Sequence, residues 1–147
     1  MKKTELFIFV LLFALTTNVQ SQISVTSYSI HALGVNTSKE KKISAELKVF
    51  LNREVGSILS ELSGMYNFKR KNYHQFSAGF GVNIAPFSGP DHLICFTVPV
   101  QLEIFPLQNF KQLSVVFEVT PELYPEDGLS MRQLWGLRYS FNKKLRK

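Results

Sequence analysis

Apolar and polar residues alternate with period two through most of this chain, and that period is the signature of strands with two unlike faces. Seven segments carry it: 23–33, 42–51, 57–68, 73–86, 93–105, 113–121 and 132–142. In 42–51, Ile43, Ala45, Leu47, Val49 and Leu51 share one face, against Ser44, Glu46, Lys48 and Phe50. In 93–105, Ile94, Phe96, Val98, Val100, Leu102 and Ile104 oppose Thr97, Gln101 and Glu103. Leu113, Val115, Phe117 and Val119 likewise oppose Ser114, Glu118 and Thr120. Between the segments lie NTSKEK, NREVG, KRKN, SGPD, PLQNFKQ and ELYPEDGLS, polar connections rich in turn-forming residues. No segment after residue 22 has the period of a helix.

The two faces differ in kind. The apolar face runs unbroken for five or six positions in several strands, while the opposite face is small and polar with recurring carboxylates, and glycine-rich in 73–86. A soluble sandwich turns its polar face to water. Here the apolar face suits lipid and the polar face suits a narrow, filled lumen. Most segments are close to the 9–11 residues a tilted strand needs to cross a bilayer. The expected fold is therefore all-β, an antiparallel up-and-down transmembrane β-barrel. Single-chain bacterial barrels have even strand numbers, so eight strands are expected where seven are visible: either 23–38 hides a bend or second short strand, or the barrel is incomplete as these seven segments draw it. Pro99 lies mid-strand without a ladder N–H and predicts a bulge there.

The N-terminus narrows the compartment. Lys2 and Lys3 precede the apolar run LFIFVLLFAL and then TTNVQS, with Val19 and Ser21 at the small-residue positions before a cleavage point. This is the pattern of a secretory signal peptide, too short for a spanning helix. The expected organisation is a signal peptide over 1–21 and one barrel domain over 22–147. Of the 147 residues, 126 then remain, enough for one domain. The lone Cys95 excludes an internal disulfide, so the exported chain must be held by its sheet. A mean hydropathy of +0.01 with 45% apolar residues is what an apolar outside and polar inside average to. The net charge of +6 gathers in turns and in the tail after Phe141, where solvated turn tips are the preferred reading; contact of some of them with acidic lipid headgroups or lipopolysaccharide phosphates is the middle reading, and nucleic acid, which an exported chain rarely meets, is not expected.

The last segment adds specificity. In LWGLRYSF, Trp135, Leu137, Tyr139 and Phe141 alternate with Gly136, Arg138 and Ser140. A glycine followed by alternate aromatics resembles the terminal strand of outer-membrane β-barrel proteins. With FSAGFGVNIAPF and VPVQLEIFPLQNFKQLSVVFEVTPEL, residues 42–141 resemble the small barrels of Gram-negative bacteria, of the OmpX-like, eight-stranded type. The resemblance implies outer-membrane localisation, a monomer, and Gly136, Tyr139 and Phe141 as the signal read by the outer-membrane insertion machinery. It also implies that the C-terminus and PLQNFKQ face the periplasm, with SGPD and ELYPEDGLS outside.

Candidate chemistry is sparse. Glu46, Lys48, Glu61, Gln101, Glu103, Glu118 and Arg138 share the inner face. Buried charges must pair, so a structural ion network is the expected role, ahead of acid–base catalysis. His31, His74 and His92 lack metal-ligand spacing and are expected at turns or the rim. Barrel-shaped lipid A deacylases resemble one another in a His-x-Ser that this chain lacks. No nucleophile elbow or phosphate loop occurs, and no catalytic residue, cofactor or metal is expected. A structural or surface-interaction role follows. The competing readings are a soluble exported barrel holding a small apolar ligand and a membrane lipid-modifying enzyme.

Overall fold

The computed structural model describes residues 23–37, 41–51, 58–86, 93–125 and 128–141. The expected signal peptide, His92 and the tail 142–147 lie outside the described residues. Nine strand segments appear: β1 (Ile23–Tyr28), β2 (Ala32–Asn36), β3 (Ile43–Phe50), β4 (Leu59–Asn67), β5 (His74–Ile84), β6 (Leu93–Thr97), β7 (Val100–Ile104), β8 (Leu113–Tyr124) and β9 (Gly128–Phe141). Strands adjacent in chain order pair antiparallel, except that β6 and β7 each pair with β5 and β8 and not with one another, and β1 pairs with β9, from Ile23↔Phe141 to Tyr28↔Gly136. The sheet is thus a closed up-and-down barrel. β6 and β7 lie end to end between β5 and β8 and act as one stave, so the barrel has eight.

The eighth stave comes from the start of the chain. The segment 23–33 is two strands, folded at Ser29–Ile30–His31, where His31 takes a left-handed φ of 49°. Histidine is one of the few non-glycine residues enriched in that conformation. Leu51 N–H then bonds the His31 carbonyl, tying this turn to the end of β3.

Pro99 makes no bulge. Gly81↔Thr97 and Ala78↔Val100 keep one register across it on β5, as Thr97↔Glu122 and Val100↔Val119 do on β8. The ladder is held from both sides by Gly79 N–H to the Pro99 carbonyl (2.9 Å) and Val98 N–H to the Pro121 carbonyl (3.0 Å). Pro99 therefore removes a donor without displacing the strand. The register shift falls higher up, between Asn83 and Ile84.

The β8–β9 hairpin is longer than the sequence pattern indicated. It pairs up to Tyr124↔Gly128, where Gly128 has φ 86°. Only glycine adopts that angle freely. β9 consequently overshoots β1, whose register with it stops at Gly136.

Burial is inverted relative to a water-soluble domain. Among the described residues, twenty buried side chains are polar or charged and nine are hydrophobic. The exposed side includes Leu33, Leu47, Leu62, Phe80, Phe117 and Trp135. The pleat sends alternate residues to opposite faces, so each strand contributes to both surfaces.

Candidate functional site

The lumen gathers the charged residues, and it does so because each sits on the inward parity of its strand. Lys48 on β3 is fully buried; its Nζ lies 2.8 Å from Glu61 on β4 and 2.7 Å from Glu118 on β8. Glu46 on β3 accepts from the Tyr28 hydroxyl at 2.6 Å. Gln101 on β7 donates through Nε2 to Glu46 Oε2 (2.6 Å) and Glu118 Oε2 (2.5 Å). Arg138 on β9 reaches side chains on three other strands, β1, β3 and β7. Its Nε donates to Thr26 Oγ1 (2.8 Å), Nη1 to Glu103 Oε2 (2.8 Å), and Nη2 to Glu46 Oε1 and Gln101 Oε1 (both 3.3 Å). Ser114 adds a hydroxyl donor to Glu103 at 2.5 Å. Thr120 gives one to Glu118 at 2.8 Å.

All seven residues that the sequence places on the inner polar face are thus brought together. The partition differs in one respect from a simple Glu103–Glu118–Arg138 cluster. Arg138 is bonded to Glu103 and Glu46, whereas Glu118 belongs to Lys48 and Gln101. Several of these bonds join staves that are not neighbours in the wall, β3 to β8, β3 to β7 and β3 to β9. They cross the lumen and fill it.

Desolvating an ion is expensive, and a buried pair is tolerated only when geometry is good and the remaining lone pairs are satisfied. The lumen meets that condition by sharing: Glu46 is reached by Tyr28, Gln101 and Arg138, and Lys48 by three carboxylates. Low dielectric strengthens each bond and raises the penalty for any one left unmade.

The mouth opposite the chain termini holds a second group. Arg132 on β9 pairs with Glu61 and, at 2.9 Å, with Glu122 Oε1, and it lies over the Phe50 ring at 4.8 Å. The Tyr124 hydroxyl donates to Glu122 Oε2 at 2.9 Å, and Asn83 Nδ2 reaches Cys95 Sγ at 3.3 Å. A recess of about 130 Å³ opens here, lined by Ile30, Phe50, Leu59, Asn83, Glu122 and Arg132 among others.

Tyr28, Thr26, Arg132 and Glu122 are absent from the sequence-based set. Their signal was parity: Arg132 precedes Arg138 by an even step on β9, and Glu122 continues the Glu118–Thr120 series on β8. His31 is exposed in its turn, His74 is half-buried at the start of β5, and Cys95 is a buried free thiol. Among the described residues no trio of His, Cys, Asp or Glu converges as a metal site.

The three terminal-strand residues separate by face. Gly136 points inward, where a Cβ would come 2.5 Å from the Ser27 carbonyl oxygen. A side chain there would push β1 away from β9 at the barrel seam. Tyr139 and Phe141 point outward and pack edge to face at 5.0 Å. No family model, no curated protein and no solved structure matches this chain.

Proposed function

We propose that this chain is a small outer-membrane β-barrel of the OmpX-like type, with a structural or surface-interaction role and no catalytic step. The observation that carries the reading is the inversion of the wall: hydrogen-bonded charge inside, and a continuous apolar band outside that only lipid would cover without loss. The export pattern of residues 1–21 and the Gly136, Tyr139, Phe141 series support the same compartment. Outer-membrane lipid and lipopolysaccharide would surround the barrel, the insertion machinery would read its last strand, and it would stand as a monomer.

The packed lumen favours a plug over a pore. Arg138, Lys48, Glu46, Glu61, Gln101 and Glu118 are fully buried, and their bonds span the interior. The same packing disfavours a lipocalin-like carrier, whose interior would be an apolar cavity. The carboxylates are engaged with cations and amides, which supports a scaffold role for them over acid–base work.

Fractionation tests the proposal. Expressed with its leader in a Gram-negative host, the chain is expected in the outer-membrane fraction and to migrate faster on a gel when the sample is not heated. Release with the periplasmic wash, with one heat-independent band, would overturn it.

A further inference from the structure

The up-and-down topology sorts the surface charge by end. β1 starts where β9 finishes, so the connections 37–42, 68–73 and 105–112 all return to the end that carries both termini. Their described residues include Lys41, Lys42, Lys69, Arg70, Lys71 and Lys111 and no Asp or Glu. The opposite end is different. Its described connecting residues, 29–31, 51, 58, 85–86 and 125, contain no Lys or Arg. Among the described connecting residues, the positive charge therefore lies at one rim.

A second feature shares that rim. Tyr66, Tyr139 and Phe141 at the strand ends and Phe68, Tyr73 and Phe110 in the connections are all exposed there. Tyr66 meets Phe68 at 5.2 Å, and Tyr139 meets both Phe110 (6.3 Å) and Phe141 (5.0 Å). Aromatic belts mark the level of the headgroups on a membrane barrel. In the chain, Lys69, Arg70, Lys71 and Lys111 stand one or two residues from an aromatic of this belt. Arg70 is turned inward instead, its guanidinium 3.9 Å from the buried Phe105 ring centroid, so the outward cations are the lysines.

We propose that the basic rim is a docking surface for the phosphate headgroups of anionic phospholipids in the leaflet facing the chain termini. The inference rests on the membrane-barrel reading and extends it: the barrel selects its lipid shell at one end. The lysine ammoniums donate to phosphate oxygens while their stems lie along the aromatic belt. The described connecting residues of the opposite rim carry no cation to do so.

The test uses the full mature chain folded into phosphatidylcholine vesicles containing traces of spin-labelled phosphatidylglycerol or spin-labelled phosphatidylcholine. Heat-modifiable migration first confirms insertion. The immobilised spectral component then gives the relative affinity of the two labels for the barrel. Phosphatidylglycerol is expected to be preferred roughly threefold or more at low salt, with the preference shrinking as salt screens the rim. The variant Lys41→Gln/Lys42→Gln/Lys111→Gln, which leaves the Arg70–Phe105 contact intact, should lose at least half of it. Arg53→Gln, at the other end, should keep it. A barrel that inserts but shows no preference, or keeps it in the triple variant, would overturn the proposal and leave the membrane reading standing. Failure to insert at all would overturn the membrane reading. Displacement of the label by lipopolysaccharide but not by unlabelled phosphatidylglycerol would assign the rim to the other leaflet and also overturn it.

Discussion

Arg138 and Arg132 lie on the same inward face of β9, yet they inhabit different electrostatic worlds. Arg138 is wholly enclosed, with its donors spent on Thr26, Glu103, Glu46 and Gln101. Arg132 has a side chain 13% exposed at the mouth, is stacked on Phe50, and faces Glu61 and Glu122 beside an open recess. The same residue type is thus a keystone at one level and a lid at the other. What separates them is access to water: a carboxylate abandoned at the mouth can be rehydrated, and one abandoned in the middle cannot.

The largest expected effect follows from that difference. Arg138→Leu takes the guanidinium from Glu103 and leaves Glu46 to Lys48 at 4.0 Å, and should destabilise the folded barrel by about 3–5 kcal/mol, read from urea unfolding in detergent micelles. Neutralising Glu46 and Glu103 to Gln in the same chain should recover part of that loss. A double-mutant cycle should give strong coupling for Arg138 with Glu103 and weak coupling with Glu118, whose partners are Lys48 and Gln101. Equal coupling to both would break the partition drawn here.

Crossing the wall comes next. Phe117 is 48% exposed on β8, and its strand neighbour Glu118 is buried in the network. Phe117→Arg should cost about 2–4 kcal/mol in lipid vesicles, the range for a cation on the lipid face near the midplane. The same substitution in a soluble protein would be close to neutral at such an exposed position. A negligible change in vesicles would contradict a lipid-covered wall.

Arg132→Leu should be milder than Arg138→Leu, at about 1.5–3 kcal/mol from its lost charge-assisted bonds, because water entering the recess can serve Glu122 and because Glu61 keeps Lys48. Measured side by side under one condition, an Arg132 variant as damaging as the Arg138 variant would erase the contrast between mouth and centre.

The pattern along the chain disclosed the two faces, because a strand's period of two translates directly into inside and outside. Ile43 through Phe50 illustrates this: every inward position inferred there is buried. The even-number rule also pointed to a strand hidden near the N-terminus, and the Ser29–His31 turn supplies it. The turn itself was invisible, since Ser-Ile-His carries no Gly, Pro or Asn. Pro99 predicts a bulge, although neighbouring carbonyl bonds hold the register. That error comes from reading proline as a breaker where the closed ladder on either side over-determines the backbone. The segment 113–121 stops short of Tyr124, where β8 ends. The network was legible as a set of residues on one face. Which carboxylate pairs with which cation was not, because that depends on which staves face each other across the lumen, a property of closure.

Trp135 offers the most direct test of the inside-out wall. It is the only tryptophan in the chain and points outward from β9, 59% exposed. In vesicles built from lipids with brominated acyl chains, its fluorescence should be strongly quenched and shifted to the blue, while aqueous iodide should quench it little. A Trp135 open to iodide and indifferent to brominated lipid would show that water covers this wall, and would contradict the account.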